Sequence, residues 1–391
     1  MTSAKKRMLY ISNNAVPLPS QITDGGQLRL YSLASAIAKE PNHIIISAVI
    51  RTRFVAMNFA LNFAMNFPLL RFMIMGLDVL LRRPDVVFLS YPNFPFFLRE
   101  RSQRFGPFSR SFLFLLGICK HFRRFRMIVD ADDLISAEIT AYTRATERRG
   151  SVNGKHVFAF ERSLFSLADV IWVISANEAE WIRRTSQVDG KFLVVPNGNL
   201  RSDLVPEPLT KDKIRFVYAG ALYRDRREIV HLLKVFNSLD APDIELYLMG
   251  AGGEWIPRDL LGPNVRYLGR LTHREAEGYV RACDVGLILY TSEERFFEIM
   301  PFPVKLALYI TNELPVVSLD SPSIAKFVHE KGIGLTTTPE LLSEEILRIA
   351  HNDTLRRNFK ANCRKIRNEY YFDTIFNKAI CISLKKLFRD P

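Results

Sequence analysis

Twelve strand-length apolar runs, alternating with stretches of helical period, set the narrowest limit on what this chain can fold into. Six occupy the first half: 7–13, 44–50, 85–91, 126–131, 169–175 and 192–197. Between the first two lies the amphipathic pattern QLRLYSLASAIAKE. A polar, proline-bearing stretch, LRSDLVPEPLTKDK (200–213), reads as a linker, and the series then restarts at 214–220, 244–250, 265–269, 284–290, 314–319 and 333–338. Runs that are apolar at every position belong to strands covered on both faces, and helices between them make the sheet parallel. The expected class is therefore α/β, with two doubly wound parallel-sheet domains facing across a cleft. Residues 1–200 form the first domain and 201–371 the second, while the closing helix, 372–391, packs back on the first. A chain of 391 residues is long enough for two such cores.

Charge and cysteine usage narrow the function classes. The formal charge is +13, and much of it falls in segment 99–126, where Arg99, Arg101, Arg104, Arg110, Lys120, Arg123, Arg124 and Arg126 face the single acid Glu100. Just upstream, segment 54–83 is rich in Phe and Met. Together they suit either an anionic membrane surface or a core helix with a solvated basic face. Pro68 and Arg71 interrupt the apolar stretch, so no transmembrane span is expected. The amino terminus lacks the pattern of a secretory signal. Cys119, Cys283, Cys363 and Cys381 have neither disulfide nor zinc spacing. The reading is a cytoplasmic protein, peripheral to the inner face of a membrane, with no nucleic-acid module.

Four loops at expected strand ends carry the chemistry. Gly25 and Gly26 lie between the first strand and first helix, where a backbone can approach phosphate, although GxGxxG is absent. Arg224, Arg226 and Arg227 follow the glycine ending strand 214–220; guanidiniums there suit a diphosphate. In MPFPVKLALYI, Phe302 and Pro303 precede a helix holding Lys305, so an anion at the helix start would meet that lysine. Glu298 lies upstream as an acceptor for sugar hydroxyls. Asp132 and Asp133 end strand 126–131; they read either as a general base or metal ligand, or as a helix cap with solvated neighbours.

Taken together, DVIWVISANEAEWIRR, KFLVVPNGN, YAG, LYLMGAG, NVRYLGRLTHREAEGYVRACDVGLILY and PVKLALYITNELPVV resemble glycosyltransferase family 4, the glycosyl transferases group 1, in order and spacing along most of the chain. The resemblance implies a GT-B fold with two Rossmann-like domains. It also implies transfer of a sugar from a nucleotide-diphosphate sugar to an acceptor, here lipid-linked or a cell-envelope glycan, with retention and without a metal or other cofactor. Carried over, Gly25 and Gly26 match its amino-terminal glycine loop, Arg227 its diphosphate-binding basic residue, and Gly250 with Gly252 its second glycine turn. The backbone around Arg270 and Leu271 matches its base-holding segment, and Lys305 its lysine. One departure stands out: the two glutamates spaced seven residues apart in that family fall here at Met300 and Leu308. Glu298 is the nearest substitute. Two rival readings follow, a non-catalytic partner of an active transferase and a sugar-nucleotide epimerase.

Overall fold

A computed structural model describes residues 6–12, 16–41, 43–46, 79, 81, 83–91, 107–137, 140, 154–209, 212–222, 228–291 and 302–388. The chain divides into two compact units. One takes Met1–Val16, Leu30–Val195 and Phe376–Pro391; the other takes Pro17–Arg29 and Pro196–Ile375.

In the first unit, β1 (Met8–Ile11), β2 (His43–Ile46), β3 (Val86–Tyr91), β4 (Arg126–Ala131), β5 (Val170–Val173) and β6 (Phe192–Val194) make one sheet in the order β2-β1-β3-β4-β5-β6. Every neighbouring pair is parallel. Every residue of β3 and β5 is buried, as two-faced coverage requires. Helices α2 (Pro107–Arg123), α3 (Gly154–Leu167) and α4 (Ala176–Ser186) belong to this unit. α4 begins at Ser175, whose side chain accepts from the Glu178 N–H, while Glu178 Oε2 accepts from the Ile174 N–H at 2.6 Å. The serine of the ISANEAE segment thus caps the helix start, while its glutamate serves the backbone donor just ahead of the cap.

The core of this sheet is closed by the end of the chain. Trp172 of β5 is fully buried, meets Phe88 edge-on at 5.6 Å and stacks on Phe376 at 6.0 Å. Its indole N–H donates to Ser383 Oγ at 2.9 Å. Phe376 and Ser383 both lie on the last helix, Phe372–Phe388.

The second unit holds β7 (Ile214–Ala219), β8 (Ile244–Met249), β9 (Val265–Tyr267), β10 (Val285–Ile288), β11 (Val316–Leu319) and β12 (Gly334–Thr337), in the order β12-β11-β10-β7-β8-β9. These pairs too are all parallel. Counted from β7, the order is 3-2-1-4-5-6, that of dinucleotide-binding sheets. Alternate residues of β7 feed different cores: Phe216 and Tyr218 join one apolar cluster, Val217 and Ala219 the other. A strand whose odd and even side chains are both buried has cover on each face. The strand positions agree with the sequence expectation, most with ends trimmed by one to three residues, as at 284–290 against Val285–Ile288; the run expected at 44–50 is described only as His43–Ile46.

Candidate functional site

Open parallel sheets bind ligands beyond the carboxyl ends of their strands, where the winding reverses. In the second unit that point lies between β7 and β10. These strands pair only at Val285↔Phe216 and Gly286↔Val217. Past Gly286 the Tyr309 hydroxyl takes over, accepting from the Ala219 N–H at 3.0 Å and sitting within 3.3 Å of the Val217 and Leu287 carbonyls. Gly286 makes room for it, since a Cβ there would come within 2.6 Å of the Tyr309 ring. Tyr309 belongs to α5 (Val304–Thr311), so one phenol docks this helix into the gap between two strands.

Docking fixes Lys305, one turn earlier. The residue is 8% exposed, and its ammonium lies 3.8 Å from the Tyr218 ring centre and 5.1 Å from that of Tyr290. Tyr218 and Tyr290 flank the switch point near the ends of β7 and β10, and two aromatic faces of this kind favour a cation. Lys305 also crosses the face of Gly220, where any Cβ would strike its Nζ and Cε. The helix starts on Pro303, which supplies no side-chain cap. The Leu306 N–H donates back to Pro303 O at 2.9 Å, and Lys305 lies in this same first turn, where the positive end of the helix favours an anion.

The glycine turn after β8 is built against the same place. A Cβ on Gly250 would collide with the Gly220 carbonyl, and Gly250 has φ +148°. Its N–H donates to Gly269 O at 2.9 Å, and the Gly220 N–H donates to Met249 O at 2.9 Å. The ends of β7, β8 and β9 are thereby laced together by backbone alone.

Residues 17–29 belong to this unit as well. Gly25 packs on Val304: a Cβ would lie 2.7 Å from Val304 Cγ2. Upstream, Ile22 O accepts from the His273 N–H at 2.6 Å, and Thr23 Oγ1 accepts from Arg270 at 2.7 Å. Three expected pieces from distant parts of the sequence thus converge, namely the glycine loop, the segment of Arg270 and Leu271, and the start of the Lys305 helix. The start of α1 (Gly25–Ala38) is already served from within, since the Gln27 N–H donates to Asp24 Oδ1 at 2.8 Å. Gly25 is required by its close approach to Val304.

Some expected residues stand apart. Phe302 is core: its ring stacks on Tyr370 at 5.2 Å and meets Phe327 edge-on at 5.3 Å. Leu271 is half-buried against the same cluster, and Leu308, 4% exposed, is part of it. Arg224, Arg227 and Glu298 lie outside the described residues. In the first unit, Asp132 is buried at the end of β4 and its N–H donates to Tyr91 O at 2.9 Å, whereas Asp133 is exposed.

Two asparagines that local sequence pattern does not single out lie behind the site. Asn197 bridges the site's second layer: Oδ1 accepts from Arg29 at 3.2 Å and Nδ2 donates to Phe302 O at 3.0 Å. Arg29 is 1% exposed and also reaches Pro196 O. Asn199 ties Thr311 and His273, accepting from or donating to each within 2.9 Å. Burial lowers the His273 pKa, with Glu277 opposing. The PNGN pattern marks a turn, whereas the partners of both asparagine side chains lie 74 to 168 residues away in the chain. In the first unit, buried Glu161 accepts from Tyr91 OH at 2.6 Å and from the Ser136 N–H at 3.0 Å.

The family described as Glycosyl transferases group 1 matches residues 213–352, which span β7 to β12 and the whole switch point. That stretch is a glycosyltransferase domain. The complete chain has the GT-B fold. It is similar to sucrose-phosphate synthase from Thermosynechococcus elongatus at 16% identity and a TM-score of 0.67, covering 98% of this chain and 99% of that one. Anabaena HepE in complex with UDP-glucose is similar at 13% identity and a TM-score of 0.63, with 97% and 100% covered. WaaG, a glycosyltransferase involved in lipopolysaccharide biosynthesis, follows at 14% identity and a TM-score of 0.60, with 96% and 98% covered. No curated protein matches the chain. Among the described residues, no helix is long and apolar enough to cross a membrane, and no cluster of three or more His, Cys, Asp or Glu is arranged to hold a metal ion.

Proposed function

We propose that the chain moves a sugar from a nucleotide-diphosphate sugar to a lipid-linked or cell-envelope glycan acceptor, with retention and without a metal, at the inner face of the cell membrane. The observation that carries this reading is Lys305, held between Tyr218 and Tyr290 beside the uncapped start of α5. The donor's diphosphate sits there, between Lys305, the turn of Phe302 and Pro303, and the arginines Arg224 and Arg227. Gly250 leaves room beside it, the backbone near Leu271 holds the base, and Glu298 takes a sugar or ribose hydroxyl. That HepE was solved with UDP-glucose supports a nucleotide sugar as the ligand class.

In the reaction, the bond between the sugar's anomeric carbon and the diphosphate oxygen breaks as the acceptor oxygen bonds to that carbon on the same face. The acceptor proton passes to the departing diphosphate, so no protein nucleophile is needed. Lys305 and the α5 N–H groups stabilise the negative charge that grows on the leaving group. Asp132 or Asp133 orients the acceptor or the transferred sugar.

Leu308 favours a second reading. A buried leucine accepts no ribose hydrogen bond, which suits a non-catalytic partner of an active transferase. Calorimetry with UDP-, GDP- and ADP-sugars separates the two: absence of affinity for all of them sinks the enzyme reading. Conversion of a donor with no acceptor present would instead point to an epimerase.

A further inference from the structure

The first unit carries an apolar groove, and its chemistry suits a lipid surface. α2 has two apolar faces. Phe112, Leu113, Leu116 and Cys119 are buried in the core, whereas Phe114, Ile118 and Phe122 point outward at helical spacing, 73%, 38% and 76% exposed. Opposite them on α3, Ala159 and Ser163 are exposed small residues. Between the helices runs a groove of about 830 Å³, lined by Phe114, Ile118, His121 and Phe122 of α2 and by Ala159, Ser163 and Leu167 of α3. That volume lies within the range of about 300–1,000 Å³ that holds apolar ligands. Two exposed phenylalanines on one helix face are a contiguous patch, not scattered surface apolarity.

Charge identifies the occupant. The carboxyl end of α2 presents exposed His121, Arg123 and Arg124 around Phe122, and exposed Arg162 lies on α3. Lys120 is bound to Leu167 O and to Asp169, and Arg126 also reaches Asp169. In the chain just ahead of α2 come Arg99, Arg101 and Arg104 with only Glu100 against them. An exposed aromatic face that ends in arginines matches the boundary between anionic headgroups and acyl chains. We propose that the α2–α3 groove docks an anionic lipid leaflet, with Phe114 and Phe122 seated among the acyl chains and Arg123 and Arg124 among the headgroups. This locates the lipid side of the acceptor reading above and rests on it only for its purpose.

The test uses the full chain and vesicles of equal parts phosphatidylcholine and phosphatidylglycerol, with no donor or acceptor present, so its outcome is independent of any transferase activity. Co-sedimentation is expected to fall about tenfold or more in Phe114→Ser/Phe122→Ser and in Arg123→Ser/Arg124→Ser. Only the arginine variant should lose its salt sensitivity. These side chains are exposed, so circular dichroism should report unchanged folding. In Phe122→Trp, emission should shift to the blue on adding vesicles and be quenched by brominated lipid. Wild-type protein that ignores these vesicles overturns the proposal. So does binding that persists in the Phe variant, which would assign the contact to another segment such as 54–83, or a Phe variant that changes only the oligomeric state, which would make the groove an interface between copies.

Discussion

At the scale of single residues, two buried ionisable groups carry distinct expectations. Lys305 is held by aromatic faces, so Lys305→Met keeps the volume while removing the charge. It should weaken donor binding by about 1.5–3 kcal/mol, the worth of a hydrogen bond to a charged group, and so should Arg227→Ala. Calorimetry with a nucleotide sugar reads both, and unchanged affinity in the pair would move the diphosphate elsewhere. Glu161 works by a different logic. Burial raises its pKa above the usual 4.5, against the pull of Ser136 and Tyr91, and its Oε2 has no hydrogen-bond partner among the described residues. The folded state therefore favours the protonated acid. Below about pH 4.5 both folded and unfolded forms are protonated, and no penalty arises. As pH rises toward the folded pKa, the unfolded chain ionises first and stability drains away. Glu161→Gln copies the neutral acid, so melting temperature should decline less steeply with pH in that variant than in wild type. Glu161→Ala removes the acceptor shared by the Tyr91 hydroxyl and the Ser136 N–H, at a cost of about 1–3 kcal/mol.

At the scale of elements, the site depends on how α5 enters the sheet. Tyr309→Phe removes the hydroxyl that satisfies the Ala219 N–H between β7 and β10. Denaturant unfolding should register a loss of about 1–3 kcal/mol. Nucleotide affinity should fall as well, because the same helix carries Lys305. Gly286→Ala tests the other half of this joint: its methyl would push on the Tyr309 ring, a misfit of about 1–3 kcal/mol. The two substitutions address one contact, so their effects should combine to less than their sum. The strands themselves were legible in the sequence, since an unbroken β-branched run has few alternatives to a buried parallel strand. The joint was not. Nothing in VKLALYIT distinguishes a tyrosine that threads between strands from one that lies flat on a core, and nothing in DVGLIL announces that its glycine serves a ring 23 residues away.

At the scale of the whole molecule, the chain starts in one unit, lends residues 17–29 to the other, crosses at Pro196 and returns at Phe376. Its last helix is integral to the first unit, through Phe376 on Trp172 and Ser383 on the indole N–H. Phe376→Ala should cost about 3–5 kcal/mol, as large aromatic truncations in cores do, and should lower the transition of the unit that holds Trp172. A single undivided transition of unchanged midpoint, followed by tryptophan fluorescence, would speak against that role. The sequence by itself determined the class of fold, the twelve strands, and the order of glycine, arginine and lysine loops along the chain, because these follow from local pattern and from chemistry at strand ends. Tertiary structure alone decided which loops meet. Gly25 came to rest on Val304, Gly250 on the Gly220 carbonyl, and Phe302 turned its ring into a core with Tyr370. Those outcomes turn on shape at close range between residues far apart in the chain, where a Cβ of clearance selects the partner and no local pattern records it.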